Sequence, residues 1–123
     1  MKYLLLGAIL MAASQAMALT LKPYNASDLA AAQAKGAPVA VHFHADWCPT
    51  CRAQTQSLDK LKAKTDLDVT VFVANYDTEK TLKAEHKVVT QSTLVVFKGK
   101  QEVSRLAGQT APEPIEAVLR KAL

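Results

Sequence analysis

An α/β fold, with a central mixed β-sheet flanked by helices and the element order βαβαβαββα, is predicted by three features of the sequence. Short runs rich in β-branched and aromatic residues alternate with segments of helical periodicity, the pattern of parallel strands joined by crossover helices. The last two runs are separated only by Lys98-Gly99-Lys100, a turn that closes a hairpin and adds an antiparallel edge. The 123 residues, 50% hydrophobic and 21% charged, suffice for one packed domain and are too apolar for a disordered chain.

Leu19 to Tyr24 is the first extended segment. Asn25 or Ser27 caps a helix that runs through Asp28, Leu29 and a series of alanines to Lys35, where Gly36 and Pro38 stop it. Val39 to Ala45 has the composition of a buried strand and leads straight into Asp46-Trp47-Cys48-Pro49-Thr50-Cys51. From Pro49 to Lys64 the periodicity is helical, with Leu58 and Leu61 on one stripe and Pro49 at the first helical position, which has no hydrogen-bonded amide to lose. Asp68 to Asn75 reads as a second buried strand and Thr78 to His86 as a short polar helix around Leu82. Thr93 to Phe97 and Glu102 to Leu106 are the two arms of the hairpin. Gly108 breaks the second arm, and Pro112 opens a last helix with Ile115, Val118, Leu119 and Leu123 on its buried stripe.

Residues 1–18 carry an address rather than a structural element. Lys2 is followed by the uncharged stretch Tyr3 to Ala13, and Ala16-Met17-Ala18 ends in the small-x-small pattern of a signal-peptidase site. The stretch is shorter than the roughly 20 apolar residues of a membrane span. A signal peptide over 1–18, cleaved after Ala18, is expected, with residues 19–123 as one domain exported to an oxidising compartment, a bacterial periplasm. The formal charge of +4 is scattered, without a cluster of like charges, so no nucleic-acid partner is expected.

The only cysteines are Cys48 and Cys51, too few for a multi-bridge scaffold or an all-cysteine zinc site. Cys48 falls where a strand ends and a helix begins, so its thiolate would face unpaired amides and the positive end of the helix dipole. Its pKa should drop below the value of about 8.5 for a free thiol. Cys48 is the expected nucleophile, and Cys51, one turn on, the residue that resolves a mixed disulfide. A purely structural bridge is the competing reading, but closing a ring of about four residues is worth only roughly 2 kcal/mol. A metal site is another, using both cysteines with His42 and His44, which lie at strand spacing and point to the same face. Two inert thiols are a third.

Val41-His42-Phe43-His44-Ala45-Asp46-Trp47-Cys48-Pro49-Thr50-Cys51 resembles the active-site segment of thioredoxin-like proteins. The likeness continues through Asp77, the polar helix to His86, Val88, Ser92 to Phe97, Gly99 and Gly108, covering most of residues 20–122. It implies a thioredoxin fold and thiol-disulfide exchange on protein thiols or disulfides. The Cys48-Cys51 disulfide would be the redox group, with no further cofactor or metal, in a monomer. Trp47, Pro49, Thr50, Ser92 and Thr93 would bind substrate, Trp47 because it leads the turn and offers an apolar face and an N–H.

Two departures from the family pattern bear on mechanism. Ser92 occupies the place of a cis-proline, and without proline the cis form costs about 2.5–4 kcal/mol, so a trans Gln91-Ser92 bond is expected. The Ser92 hydroxyl can donate to a Cys48 thiolate or leave the sulfurs more open to a metal; the plainer reading is a tolerated loop residue. His42 stands where the family has a buried acid, and Val73 where it has that acid's lysine companion. His42 is therefore a candidate catalytic base for Cys51 or, if protonated, a charge that stabilises the thiolate; otherwise it is a neutral space-filler. His44 is expected to pack, Asp46 to be an exposed acid, Arg52 to be screened by water and His86 to have no role.

The function expected is an exported thiol:disulfide oxidoreductase served by an external redox partner, a membrane electron donor being one candidate. The alternative is a non-catalytic module that binds a metal ion or client protein through the cysteine pair.

Overall fold

A computed structural model describes residues 18–123, so the expected signal peptide, Ala18 excepted, lies outside the described residues. The elements are β1 (Thr20–Pro23), α1 (Ala26–Ala34), β2 (Pro38–His44), α2 (Pro49–Leu61), β3 (Thr70–Asn75), α3 (Lys80–Glu85), β4 (Thr93–Lys98), β5 (Gln101–Ala107) and α4 (Pro112–Arg120). The predicted order βαβαβαββα is reproduced, in one five-stranded sheet ordered β1-β3-β2-β4-β5.

β1 and β2 run parallel to β3, whereas β4 runs antiparallel to β2 and β5 antiparallel to β4. The antiparallel part is therefore larger than the expected hairpin edge, since β4 itself opposes β2. The short α3 accounts for this: six residues rise about 9 Å, less than half the roughly 20 Å of a six-residue strand, so α3 does not return the chain along the sheet.

Strand alternation divides the core into two layers. Ala40 of β2 packs with Leu58 and Leu61 of α2 and Ile115 and Leu119 of α4. Val39, Val41 and Phe43 face the other way, onto Leu29 of α1 and Leu82 of α3. His42 follows Ala40 on the α2 side, and this places a polar ring beneath the helix that begins at Cys48. Asn25 caps α1, its Oδ1 accepting from the amides of Ser27 and Asp28.

The turns after α1 and between β4 and β5 meet each other. Gly36 and Gly99 have φ of +71° and +58°, and a Cβ at Gly99 would sit 3.2 Å from the Gly36 Cα, whereas one at Gly36 would meet nothing within 4 Å. Both Gly→Ala changes incur the left-handed penalty of about 1–2 kcal/mol. Gly99→Ala adds a backbone clash and is expected to lower the chemical-denaturation midpoint more than Gly36→Ala; equal losses would show that the turns part without cost.

Candidate functional site

The sulfur pair is built by the start of α2. Cys48 is its N-cap, with extended backbone (φ −96°, ψ 111°), and its Sγ accepts from the Cys51 amide at 3.2 Å. Pro49 follows at the first helical position and is exposed, while Thr50 is half-buried. The sulfurs are present as free thiols, Cys51 fully buried and Cys48 2% exposed.

Burial pushes the Cys48 thiol up, but hydrogen bonds from the Cys51 side chain, the Ser92 hydroxyl and the amides of Cys51 and Thr50 outweigh it and hold the pKa below the ordinary thiol value. Burial raises the Cys51 thiol, and its hydrogen bond to Cys48 and the charge there raise it further. Cys48 is thus the more acidic of the two neighbours, the order that stepwise exchange requires.

Ser92 lies directly against them, with Oγ 3.3 Å from the Cys48 Sγ and 3.1 Å from the Cys51 Sγ. The described residues contain no cis peptide bond, so Gln91-Ser92 is trans as expected, and Ser92 instead adopts φ of 63°. Left-handed backbone at a non-glycine residue costs on the order of 1–3 kcal/mol and persists only where the surroundings enforce it. The Ser92 amide donates to the Phe43 carbonyl at 3.0 Å, and its carbonyl accepts from the Gly108 amide at 3.1 Å.

Trp47 is 58% exposed beside the pair, and its indole N–H donates to the Asp77 Oδ2 at 2.8 Å. Its ring is thus oriented but uncovered. The Thr93 side chain is buried, and its hydroxyl donates to the Thr90 carbonyl at 2.8 Å, so only its main chain is left to meet a substrate. It closes the loop before β4 rather than facing outward. Arg52 donates to the Asp46 carbonyl at 2.8 Å, tying the turn to the first helical residues.

His42 differs from both active roles expected of it. Its ring is 1% exposed, and its Nε2 lies 2.8 Å from the Gln54 Oε1 while its Nδ1 has no partner, so neither nitrogen hydrogen-bonds a sulfur. Burial lowers its pKa from 6.5 to about 4, only partly opposed by the bond to Gln54, so it is neutral near pH 7 and supplies no charge to a thiolate. His44 lies on the same face, ring centroids 5.5 Å apart, and its Nε2 is 3.0 Å from the Asp46 Oδ1. Among the described residues no three His, Cys, Asp or Glu side chains converge to hold a metal ion.

Sequence reasoning missed Gln54. It is as buried as His42, and its Nε2 donates to the Ser92 carbonyl at 2.9 Å and the Gln109 carbonyl at 3.0 Å. The signal was a polar residue on the inner stripe of a helix, three positions after Cys51 and four before Leu58. Asp77, quoted only as part of the resemblance, was likewise not expected to hold the Trp47 ring.

Comparison with known proteins agrees with this geometry. The family model described as Thioredoxin matches residues 20–121. The thioredoxin H-type of Brassica campestris is 34% identical over 102 residues, spanning 83% of this chain and 80% of its own. The thioredoxin of Porphyra purpurea is 30% identical over 84 residues, 68% of this chain and 78% of its own. Among solved structures, the crystal structure of Trxlp from Edwardsiella tarda EIB202 superposes with a TM-score of 0.76 at 40% identity, covering 81% of this chain and 98% of that one.

Proposed function

Given that the chain belongs to the thioredoxin family and is a thiol-disulfide oxidoreductase with a Cys48/Cys51 pair, we propose that it acts after export, on cysteines of other exported proteins. The single observation that carries the mechanism is the N-cap position of Cys48, where four hydrogen-bonding groups outweigh burial and favour the thiolate. The Cys48 thiolate attacks one sulfur of a substrate disulfide and expels the other as a thiolate. Cys51 then loses its proton, attacks the Cys48 Sγ of the mixed disulfide, and releases the second substrate thiolate. The substrate thiolates take up the Cys51 proton and one from water, and two electrons pass from the pair to the substrate; the reverse sequence oxidises a substrate dithiol.

In the mixed disulfide Cys48 carries no charge, so one of the groups that raises the Cys51 thiol disappears when Cys51 must ionise. Trp47, Pro49, Thr50 and the main chain around Ser92 form the surface on which the substrate lies. A separate redox partner returns the pair to its starting state. Export is supported by Lys2, the uncharged stretch Tyr3 to Ala13 and the Ala16-Met17-Ala18 sequence.

Cys51→Ser leaves the first attack intact and removes the second, so this variant is expected to accumulate disulfide-linked adducts with substrate proteins, visible by non-reducing electrophoresis and mass spectrometry. The same full-length chain, expressed with its N-terminal segment, should be recovered from the periplasmic fraction beginning at Leu19. Absence of adducts under oxidising conditions counts against Cys51 as the resolving group; recovery of the uncut chain in the cytoplasm counts against export. A module that binds clients without turnover would show adducts but no catalysed reduction by the parent protein.

A further inference from the structure

We infer that Gln54 is a positioning residue for disulfide exchange: its carboxamide, turned by His42, holds the Ser92 peptide so that the Ser92 hydroxyl stands against both sulfurs. The orientation follows from donor and acceptor counting. Two carbonyl oxygens, those of Ser92 and Gln109, lie 2.9 and 3.0 Å from the Gln54 Nε2, and only an NH₂ group can serve both. The Gln54 Oε1 is then an acceptor, and the group 2.8 Å from it must be His42 Nε2–H. His42 is thereby fixed in one tautomer, and a neutral imidazole acts as a donor that sets the direction of a neighbouring amide.

What the amide holds is an unfavourable backbone. Ser92 sits at φ of 63°, in the region where side-chain-bearing residues are strained, and its carbonyl is the point at which Gln54 and the Gly108 amide both attach. Without Gln54 the Ser92 carbonyl keeps only the Gly108 amide, so the strained peptide is held less tightly and the hydroxyl 3.3 Å from Cys48 and 3.1 Å from Cys51 can shift with it. The hydroxyl has one proton, so it serves one sulfur as donor at a time, and charge selects the Cys48 thiolate. The Cys51 thiol, whose one proton goes to the Cys48 thiolate, lies 3.1 Å from the same hydroxyl.

Gln54 touches neither sulfur in this chain of contacts; it acts through Ser92. The hydrogen bonds that place the hydroxyl come from Phe43 of β2, Gln54 of α2 and Gly108 just after β5.

The inference rests on the exchange reading of Cys48 and Cys51 and is tested by a double-mutant cycle on the Cys48 pKa. Thiolate absorbance is titrated in the reduced parent, Gln54→Met, Ser92→Ala and the double variant, with turnover of a protein disulfide measured alongside. Losing a hydrogen bond to a charged sulfur should raise the Cys48 pKa by about one unit, roughly a tenfold fall in thiolate below the pKa, in each single variant. The double variant should rise no further than Ser92→Ala alone. An unmoved Cys48 in Gln54→Met, or a shift that adds in full to that of Ser92→Ala, overturns the inference. A merely structural Gln54 would lower the melting temperature in both backgrounds without this dependence on Ser92. Should Gln54→Met fail to fold, nitrogen-15 spectra of the parent decide: His42 must be protonated at Nε2, and an Nδ1–H ring overturns the assigned amide orientation. A parent that does not turn over would defeat the exchange reading while leaving the cycle on Cys48 intact.

Discussion

Cys48→Ser is expected to lower catalysed reduction of a protein disulfide at least about a thousandfold, since a serine hydroxyl is not ionised near neutral pH and attacks sulfur poorly. The loss should be chemical and not structural. Serine is among the preferred N-cap residues, so its Oγ can replace the Cys48 Sγ as acceptor for the Cys51 amide and the start of α2 is retained. Melting temperatures of reduced parent and variant should therefore lie close together while the rates separate. The contrast with Cys51→Ser is diagnostic: the first variant forms no adduct, the second forms one and cannot release it. Turnover by Cys48→Ser at the rate of the parent would remove Cys48 from the reaction and leave the architecture without its assigned chemistry.

Acid should destabilise the folded protein in a window set by His42. The folded ring has a pKa of about 4 against 6.5 for an exposed histidine, so between these values the unfolded chain binds the extra proton. Stability contributed by the neutral ring is complete above 6.5 and is lost as the pH falls through the window. The loss amounts to about 3 kcal/mol at its lower end, from a shift of roughly 2.5 units. Carboxylates that are held low in the folded state, Asp66, Glu102 and Glu116, lose their contributions only below ordinary values of 3.8 to 4.5, so they do not produce the same slope. Unfolding free energies from denaturant titrations across this pH range should fall steeply in the parent and remain nearly level in His42→Phe. A variant that kept the parent's slope would place the proton elsewhere. The phenylalanine leaves the Gln54 carbonyl without its donor, so a lower stability at neutral pH is expected with the flatter profile.

Periodicity made the elements legible, and their ends less so. The helix expected to reach Lys64 stops at Leu61, and Lys62, Ala63 and Lys64 continue as a tightened turn whose amides reach back three residues. The strand expected from Asp68 begins at Thr70, although Leu67 and Val69 are already buried, because packing begins before ladder pairing does. Cys48 was legible because its chemistry is local: a strand, a sharp turn and a helix start lie within a few residues. Gln54 was not, because its partners lie 12, 38 and 55 positions away and a polar residue on an apolar stripe looks like a flaw until they are present. The inward turn of the Thr93 hydroxyl was not legible for a related reason: adjacency to Ser92 in sequence says nothing about which side of a strand a side chain faces.

The way β1 is stitched in bears on the order of events during maturation. Leu19 is 4% exposed within the layer under α2 and α4, and the Thr20 amide is bonded to the Val69 carbonyl at 3.0 Å. On the export route proposed above, the bond to be cut lies directly before a residue locked into the interior. A peptidase that needs slack chain after its target would find Leu19 and Thr20 held once the sheet has closed. On that proposed route, removal of the leader is expected to precede assembly of the first strand, and a mutant that folds before it is trimmed should keep its leader.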